Sequence, residues 1–252
     1  MMSYFRADDL QAFAKQEDEA PHFQALKARF QALHQQVYSQ IQLNDLDFHL
    51  IVPADQAIGT KSVSVIENND PLLCVSYLRP KGQAVTIERL MGREEVTTPH
   101  TIEARRHPVI EMRLTASRFT LELILSPDAW WDQQNLVGKL SIARHKQDFY
   151  MSLRELGPGY CMGFWCGVHL SEMHLVTRQF QHPRIMDEWM STFQAGSDWW
   201  RIGKWYNFDD EKLAEKTIIS EMLQQLRLLH SLYQHLLWTS DNNFREFYRS
   251  TL

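Results

Sequence analysis

The chain of 252 residues is 44% hydrophobic and 23% charged, proportions that are typical of folded globular proteins and exclude extensive disorder. Its net charge of −5 arises from 26 basic and 31 acidic residues mixed along the sequence, so nucleic acid is not favoured as a partner, because proteins that bind it concentrate Lys and Arg on one face. Three cysteines are too few for the disulfide framework of a secreted domain, and no apolar run approaches the roughly 20 residues that span a bilayer, so we expect a soluble cytoplasmic protein with no membrane segment.

Two helices are predicted near the N-terminus. The shorter one is expected over residues 8–15 and the longer one over residues 21–42, where Pro21 fits the first helical turn. In the longer helix, apolar residues recur at every third or fourth position, the spacing of a single buried face: Phe23, Leu26, Phe30, Leu33, Val37 and Ile41.

Between residues 46 and 125 the hydrophobic pattern changes to alternation. Candidate strands cover residues 46–52, 62–66, 72–78, 85–90, 108–114 and 119–125. In the last of them, the apolar side chains share one face and Thr120 and Glu122 share the other, as in a sheet that is buried on one side. The links are short and rich in turn-forming residues, which favours antiparallel pairs, because parallel strands need longer crossovers.

The second half of the chain mixes helices and strands. A central helix is predicted from Ser126 up to the break at Gly157-Pro158-Gly159, and Gly138 is expected to bend or split it. Beyond the break we predict a hairpin over residues 160–168 and 173–180, a helix over residues 185–193, a loop or irregular strand over residues 197–207, and a long helix from Asp209.

Together these elements predict a single α+β domain over residues 1–252. The sheet is expected to be mostly antiparallel, with about six to eight strands, and to be covered by the N-terminal helix pair, the central helix and the long C-terminal helix. A subdivision near residues 157–159, into a unit over 1–156 and a unit over 160–252, is the alternative.

His169, Glu172 and His174 carry the ligand types that zinc prefers, within six residues. Their spacing differs from the helical H-E-x-x-H motif, and an odd separation along a strand sends the two histidines to opposite faces. The alternative is two structural or surface histidines. Cys161 and Cys166 also lack the spacing of a zinc or redox pair, so we expect buried thiols.

Glu111 and Glu122 lie on neighbouring candidate strands. Paired carboxylates of this kind serve acid–base or Mg²⁺ chemistry. The alternative interpretation is a solvated face of the sheet on which Arg113 and Arg118 are their partners.

The most unusual segment runs from Gly196 to Tyr206. Aromatic rings with interleaved cations can stack on planar ligands. We therefore predict that the aromatic and cationic residues of this segment bind a ligand: Trp199, Trp200, Arg201, Lys204, Trp205 and Tyr206. The alternative is that these rings fill the core where the last helix docks. All eight tryptophans of the chain follow residue 129.

The sequence contains no nucleophile elbow, Walker A loop or dinucleotide fingerprint, and it assigns neither an enzymatic activity nor a cofactor. The leading hypothesis is a domain that binds a small molecule or a protein; on this hypothesis, changing Trp200 and Arg201 to Ala weakens binding with little loss of stability. A metal-assisted hydrolase or nuclease that uses His169, Glu172 and His174 is one alternative. A homo-oligomeric structural protein is another.

Overall fold

The computed structural model describes residues 3–5, 13, 21–43, 58–64, 71–92, 102–166 and 174–244. Its helices are α1 (Pro21–Leu43), α2 (Lys81–Leu90), α3 (Trp130–Leu140), α4 (Ala143–Glu155), α5 (Thr177–Phe180), α6 (Pro183–Met190) and α7 (Ile218–Leu236). Its strands are β1 (Leu72–Tyr77), β2 (Val109–Thr115), β3 (Phe119–Leu125), β4 (Tyr160–Cys166), β5 (Leu175–Val176) and β6 (Asp198–Tyr206). The predicted α+β class is confirmed.

The six strands form one sheet in the order β1-β2-β3-β6-β4-β5, and every neighbouring pair is antiparallel. β6 pairs with β3, which precedes the break at residues 157–159, and with β4, which follows it. A sheet that continues across this break supports the prediction of a single domain over residues 1–252, which stays a prediction.

One face of the sheet holds the main hydrophobic core. In β2 and β3, Ile110, Met112 and Leu114 lie opposite Leu123, Leu121 and Phe119, and all six are buried. The apolar stripe of α1 and the broad face of α7 belong to the same core. The helices therefore cover this face, which we call the helix face; the other face, which carries Glu111 and Glu122, we call the polar face.

The strand predicted over residues 85–90 is wrong, because this segment lies in helix α2. The buried positions are Ala84, Ile87 and Glu88, a spacing of three and one that places them on one side of a helix. Alternation of Val85 and Ile87 suggested a strand, but the periodicity over the whole segment is helical.

Among the described helices, none combines the length and the apolar composition that a membrane-spanning segment needs.

The predicted central helix is split, but not at Gly138. α3 ends at Leu140 and α4 begins at Ala143. Gly138 stays helical and makes room for the ring of Phe244, since a Cβ at this position would lie 2.3 Å from Phe244 Cγ.

Other predicted boundaries shift or lie outside the described residues. The predicted strand 46–52 and all of the helix 8–15 except Phe13 are outside them, and residues 62–64 are described but form no strand. The second hairpin is reduced to the short pairing of β4 with β5, and α5 follows at once. The last helix begins at Ile218 rather than Asp209, because Asp210 caps a separate 3-10 turn at Glu211–Leu213.

The segment that follows α7 is anchored to α3 by buried polar groups. The amide of Asn135 donates to the carbonyl oxygens of Leu236, Leu237 and Asn242 at 3.0–3.1 Å and accepts from the backbone N–H of Phe244 at 3.1 Å. Two of these bonds reach carbonyl groups that the end of α7 leaves without partners, and the other two hold the backbone of the segment beyond it.

We expect Asn135→Ala to lower the free energy of unfolding by about 1–3 kcal/mol, because it leaves these buried backbone groups without their partner. Urea denaturation measures the change. Gln134→Ala on the same helix is the control, since its half-buried side chain makes no hydrogen bond within the described residues. Equal effects of the two substitutions would contradict the proposed anchoring.

Candidate functional site

The aromatic segment predicted to bind a ligand forms the regular strand β6, between β3 and β4. Because side chains alternate along a strand, Trp200, Lys204 and Tyr206 lie on the helix face, whereas Trp199, Arg201 and Trp205 lie on the polar face. The structure therefore does not bring the six predicted residues to one surface.

The three residues on the helix face are held inside the protein. Trp200 is fully buried in the main core. Lys204 Nζ and the Tyr206 hydroxyl donate to Glu221 Oε1 of α7 at 2.9 and 2.8 Å. Burial lowers the pKa of Lys204, with only partial compensation by Glu221. This half of the segment joins the sheet to α7, which agrees with the alternative that its rings fill the core.

The residues on the polar face form a stack of rings and cations. Trp165 and Trp199 are parallel, with ring centroids 6.0 Å apart. The guanidinium carbon of Arg201 lies 5.2 Å from the ring centroid of Trp165 and 5.0 Å from that of Trp205. The guanidinium carbon of Arg118 also lies near Trp205, 4.9 Å from its ring centroid. Arg201 is largely buried, so the interleaved rings and cations of the sequence mainly contact one another. Ligand binding by the predicted set stays a prediction.

Next to this stack lies a buried cluster that we call the charge centre, formed by Glu111, Arg113, Glu122 and Arg201. Glu111 and Glu122 are direct partners across β2 and β3, and Arg113 donates to both, at 2.9 and 2.6 Å. Arg201 lies 3.6 Å from Glu122. Two acidic and two basic groups compensate one another, as buried charges require.

The prediction of a solvated face for these carboxylates is wrong, because both are buried. Their partners are Arg113, as expected, and Arg201, whereas Arg118 lies over Trp205 instead. Arg201, which is remote along the chain, thus supplies the second positive charge.

The environment of Glu122 keeps its carboxylate ionised. Burial by itself raises the pKa of a carboxyl, but the guanidinium groups of Arg201 and Arg113 and the N–H bond from Trp205, at 2.6 Å, outweigh it and hold the pKa of Glu122 below its usual range. Gly203 is the partner of Glu122 on β6, where a Cβ would lie 2.4 Å from Glu122 Cγ. The absence of a side chain at residue 203 thus makes room for the carboxylate.

Two cavities adjoin at one end of the sheet. The first, of about 690 Å³, we call the polar cavity; its described wall comes from residues 59–63, from β1 and from the turn at residues 103–105, with Asp128. The second, of about 730 Å³, we call the aromatic cavity, lined by Leu90, Met91, Gly92, Glu103, Arg106, Asp128, Trp130 and Trp131. Because Glu103 and Asp128 line both, we treat the two cavities as one groove.

The wall of the polar cavity is fixed by hydrogen bonds. Residues 58–64 are tied to the edge strand β1 by two backbone bonds between Gly59 and Cys74, at 2.9 and 2.8 Å. The Ser62 hydroxyl and the Val63 N–H donate to Glu111 at 2.7 and 2.9 Å. The charge centre therefore holds the segment that lines the cavity.

The aromatic cavity contains a tryptophan with an unusual exposure. Trp130 is 45% exposed although large aromatic side chains are usually buried. Its ring lies edge-to-face with Trp131, at a centroid distance of 5.7 Å, and rests on Gly196, where a Cβ would lie 3.3 Å from the ring. Trp130 is thus held in place while nearly half of its surface stays accessible.

The predicted metal ligands are only partly described. His169 and Glu172 lie outside the described residues, and His174 is an exposed residue whose ring centroid lies 5.5 Å from that of Trp205. Within the described ranges, no group of three His, Cys, Asp or Glu residues is arranged to hold a metal ion. The prediction of buried thiols fails for Cys166, which is exposed, whereas Cys161 is half-buried and Cys74 is buried.

The groove was not predicted from the sequence, in which Asp128 and Trp130 fall within the start of the predicted central helix. The buried residues of α3 are Asp132, Gln133, Asn135, Leu136 and Lys139, which leave Trp130 outside the buried face. Because most of these residues are polar, the hydrophobic pattern of the sequence gives no sign of this orientation.

The chain matches no protein-family model and no curated protein sequence.

Proposed function

We propose that this protein is a binding domain for a small molecule and that the groove is its binding site. The observation that carries the proposal is the union of the polar and the aromatic cavity at Glu103 and Asp128, with the exposed Trp130 in its wall. This retains the leading hypothesis from the sequence but moves the site from residues 199–206 to the groove.

The size of each cavity and the apolar residues of the aromatic cavity support the proposal. Ligand sites measure about 300–1,000 Å³ and combine apolar walls with a few polar groups, and each cavity falls in this range, at about 690 and 730 Å³. Leu90 and Trp130, two of the most exposed large hydrophobic side chains, both line the aromatic cavity. The polar cavity offers the exposed side chains of Thr60 and Lys61.

Hydrogen bonds hold the wall of the groove in place before a ligand binds, and such a preformed site loses less conformational entropy on binding. Ser62 is bonded to Glu111, and Arg105 Nε donates to the Val63 carbonyl at 3.2 Å, which ties the turn at residues 103–105 to the segment across the cavity. The ring of Trp130 packs against the backbone at Gly196.

The test is equilibrium dialysis against a pooled mixture of amines, carboxylic acids, sugars and nucleosides, read by mass spectrometry. We expect at least one compound to be retained, and Trp130→Ala or Lys61→Ala to lower its retention on the order of tenfold, as truncation of an important contact does. Met151→Ala is the control, since Met151 is 46% exposed on α4, outside the described groove lining. If no compound is retained, or if all variants retain it equally, the proposal fails.

The other hypotheses from the sequence remain proposals without a new argument: a protein partner, a metal-assisted hydrolase or nuclease using His169, Glu172 and His174, and a homo-oligomeric structural protein. A cytoplasmic location is likewise a proposal, and it is supported by three cysteines that form no disulfide.

A further inference from the structure

Asp128 and Trp130 place a carboxylate and an exposed aromatic ring in the wall of the same cavity. Asp128 is exposed, and its side chain makes no hydrogen bond or ion pair within the described part of the chain, where only its backbone N–H is engaged, by Ser126 Oγ at 3.2 Å. Its negative charge is therefore available to a ligand.

The other charges of the aromatic cavity do not offset this carboxylate. Arg106, the cation among its described lining residues, donates to Glu103 at 2.7 Å. The lining thus has two acidic groups, Glu103 and Asp128, against one basic group, and the basic group is already paired. An anionic ligand would meet this net negative charge, whereas a cation would reduce it.

Trp130 adds an attraction of the same sign. The face of an indole ring is electron-rich and attracts cations. Alkylated ammonium groups gain most, because their methyl groups are also stabilised by burial against apolar walls. Leu90, Met91 and Trp131 supply such walls beside Trp130. An exposed ring, an unpaired carboxylate and apolar walls are together the elements of a receptor for organic cations.

We propose that the aromatic cavity binds the cationic head of a small organic molecule, an alkylated ammonium group, with Asp128 as its counter-ion and Trp130 as the ring it contacts. This inference rests on the proposed function, since it names the class of ligand for the same groove. The remainder of such a ligand extends past Glu103 and Asp128 into the polar cavity, where Lys61 and the Thr60 hydroxyl accommodate a polar or anionic end.

Isothermal titration calorimetry with choline and with 3,3-dimethylbutan-1-ol tests the inference. The second compound has the shape of choline, with a neutral tert-butyl group in place of the trimethylammonium group. We expect choline to bind at least about tenfold more tightly, because only choline gains the attraction of the carboxylate and the ring. Equal affinity for the two compounds, or no binding of choline, would overturn the inference.

Two substitutions locate the effect. Asp128→Asn keeps the shape of the side chain and removes its charge, and Trp130→Leu keeps an apolar side chain and removes the ring; each is expected to weaken choline binding about three- to thirtyfold and to leave the neutral compound nearly unchanged. Asp209→Asn is the matched control, since Asp209 is also exposed but does not belong to the described lining of the cavity. If both variants bind choline as the unmodified protein does, choline binds elsewhere and the inference fails.

The result is separable from the test of the proposed function. If the pooled mixture yields a carboxylic acid or a sugar whose retention depends on Trp130 or Lys61, while choline does not bind, the groove is a binding site and only the assignment of a cation is wrong. If no class of compound is retained, both proposals fail together.

Discussion

Replacing Arg113 by Met is expected to lower the free energy of unfolding at pH 7 by about 3–5 kcal/mol, because it removes a buried arginine that donates to two buried carboxylates. Arg113 donates to both Glu111 and Glu122, and its own side chain is only 3% exposed. Urea denaturation at pH 7 measures the loss. Arg184→Met is the control, since this arginine is 83% exposed in its pair with Glu188, and we expect a change of about 0.5 kcal/mol or less.

The same variant has a pH signature. In the unmodified protein the pKa of Glu122 is lowered, so its contribution to stability is present above the pKa of the unfolded chain and is lost as the pH falls through the lower folded pKa. Without Arg113, only Arg201 and the Trp205 N–H oppose the effect of burial on Glu122, so the folded pKa of Glu122 rises and less stability is lost when it is protonated. The difference between the two proteins should therefore shrink from pH 7 towards pH 4.5. A loss that is independent of pH would show that Arg113 acts through packing alone.

Trp200→Ala is expected to cost about 3–5 kcal/mol, because it removes a large side chain from a closely packed core and leaves a cavity. Trp200 is fully buried between the sheet and the helices. Thermal and urea denaturation measure the loss. This expectation replaces the one made from the sequence, that Trp200 and Arg201 tolerate alanine with little effect on stability.

Two further substitutions show whether burial is the cause. Trp200→Phe keeps an aromatic ring and removes an indole N–H that has no hydrogen-bond partner among the described residues, so we expect a loss of about 1.5 kcal/mol or less. Trp130→Ala, at the 45% exposed tryptophan of the groove, is expected to change stability by about 0.5 kcal/mol. If Trp200→Ala is as mild as Trp130→Ala, the placement of β6 in the core is wrong.

Much of the sheet was predictable because its residues obey a local rule. In β3, the alternation of four apolar residues with polar Thr120 and Glu122 fixes a strand with one face towards the core, and β2 follows the same pattern. The stripe of α1 likewise predicted a helix whose observed bounds are Pro21–Leu43. Where one face of an element is apolar, the pattern along the chain is enough.

The errors occur where the pattern is mixed. In β6, Lys204 shares the helix face with Trp200 and Tyr206, and Arg201 shares the polar face with two tryptophans, so the segment has no purely apolar side. Each cation is compatible with a buried strand only because a distant carboxylate accompanies it: Glu221 for Lys204 and Glu122 for Arg201. Those carboxylates lie outside residues 196–206, so the sequence of this segment does not predict the pairing.

The groove could not be predicted from the sequence for the same reason. Its wall combines residues 59–63, strand β1, the end of α2, the turn at residues 103–106 and the start of α3, and no spacing along the chain relates these five segments.

The sequence by itself determined an α+β fold with an antiparallel sheet and a long C-terminal helix, and it identified residues 196–206 as exceptional. Only the tertiary structure decided that this segment is a central strand, that its tryptophans are divided between two faces, and that the accessible ring is Trp130 instead. The physical reason is that hydrophobic periodicity acts over neighbouring residues, whereas the compensation of buried charges and the shape of a cavity depend on groups that only folding brings together.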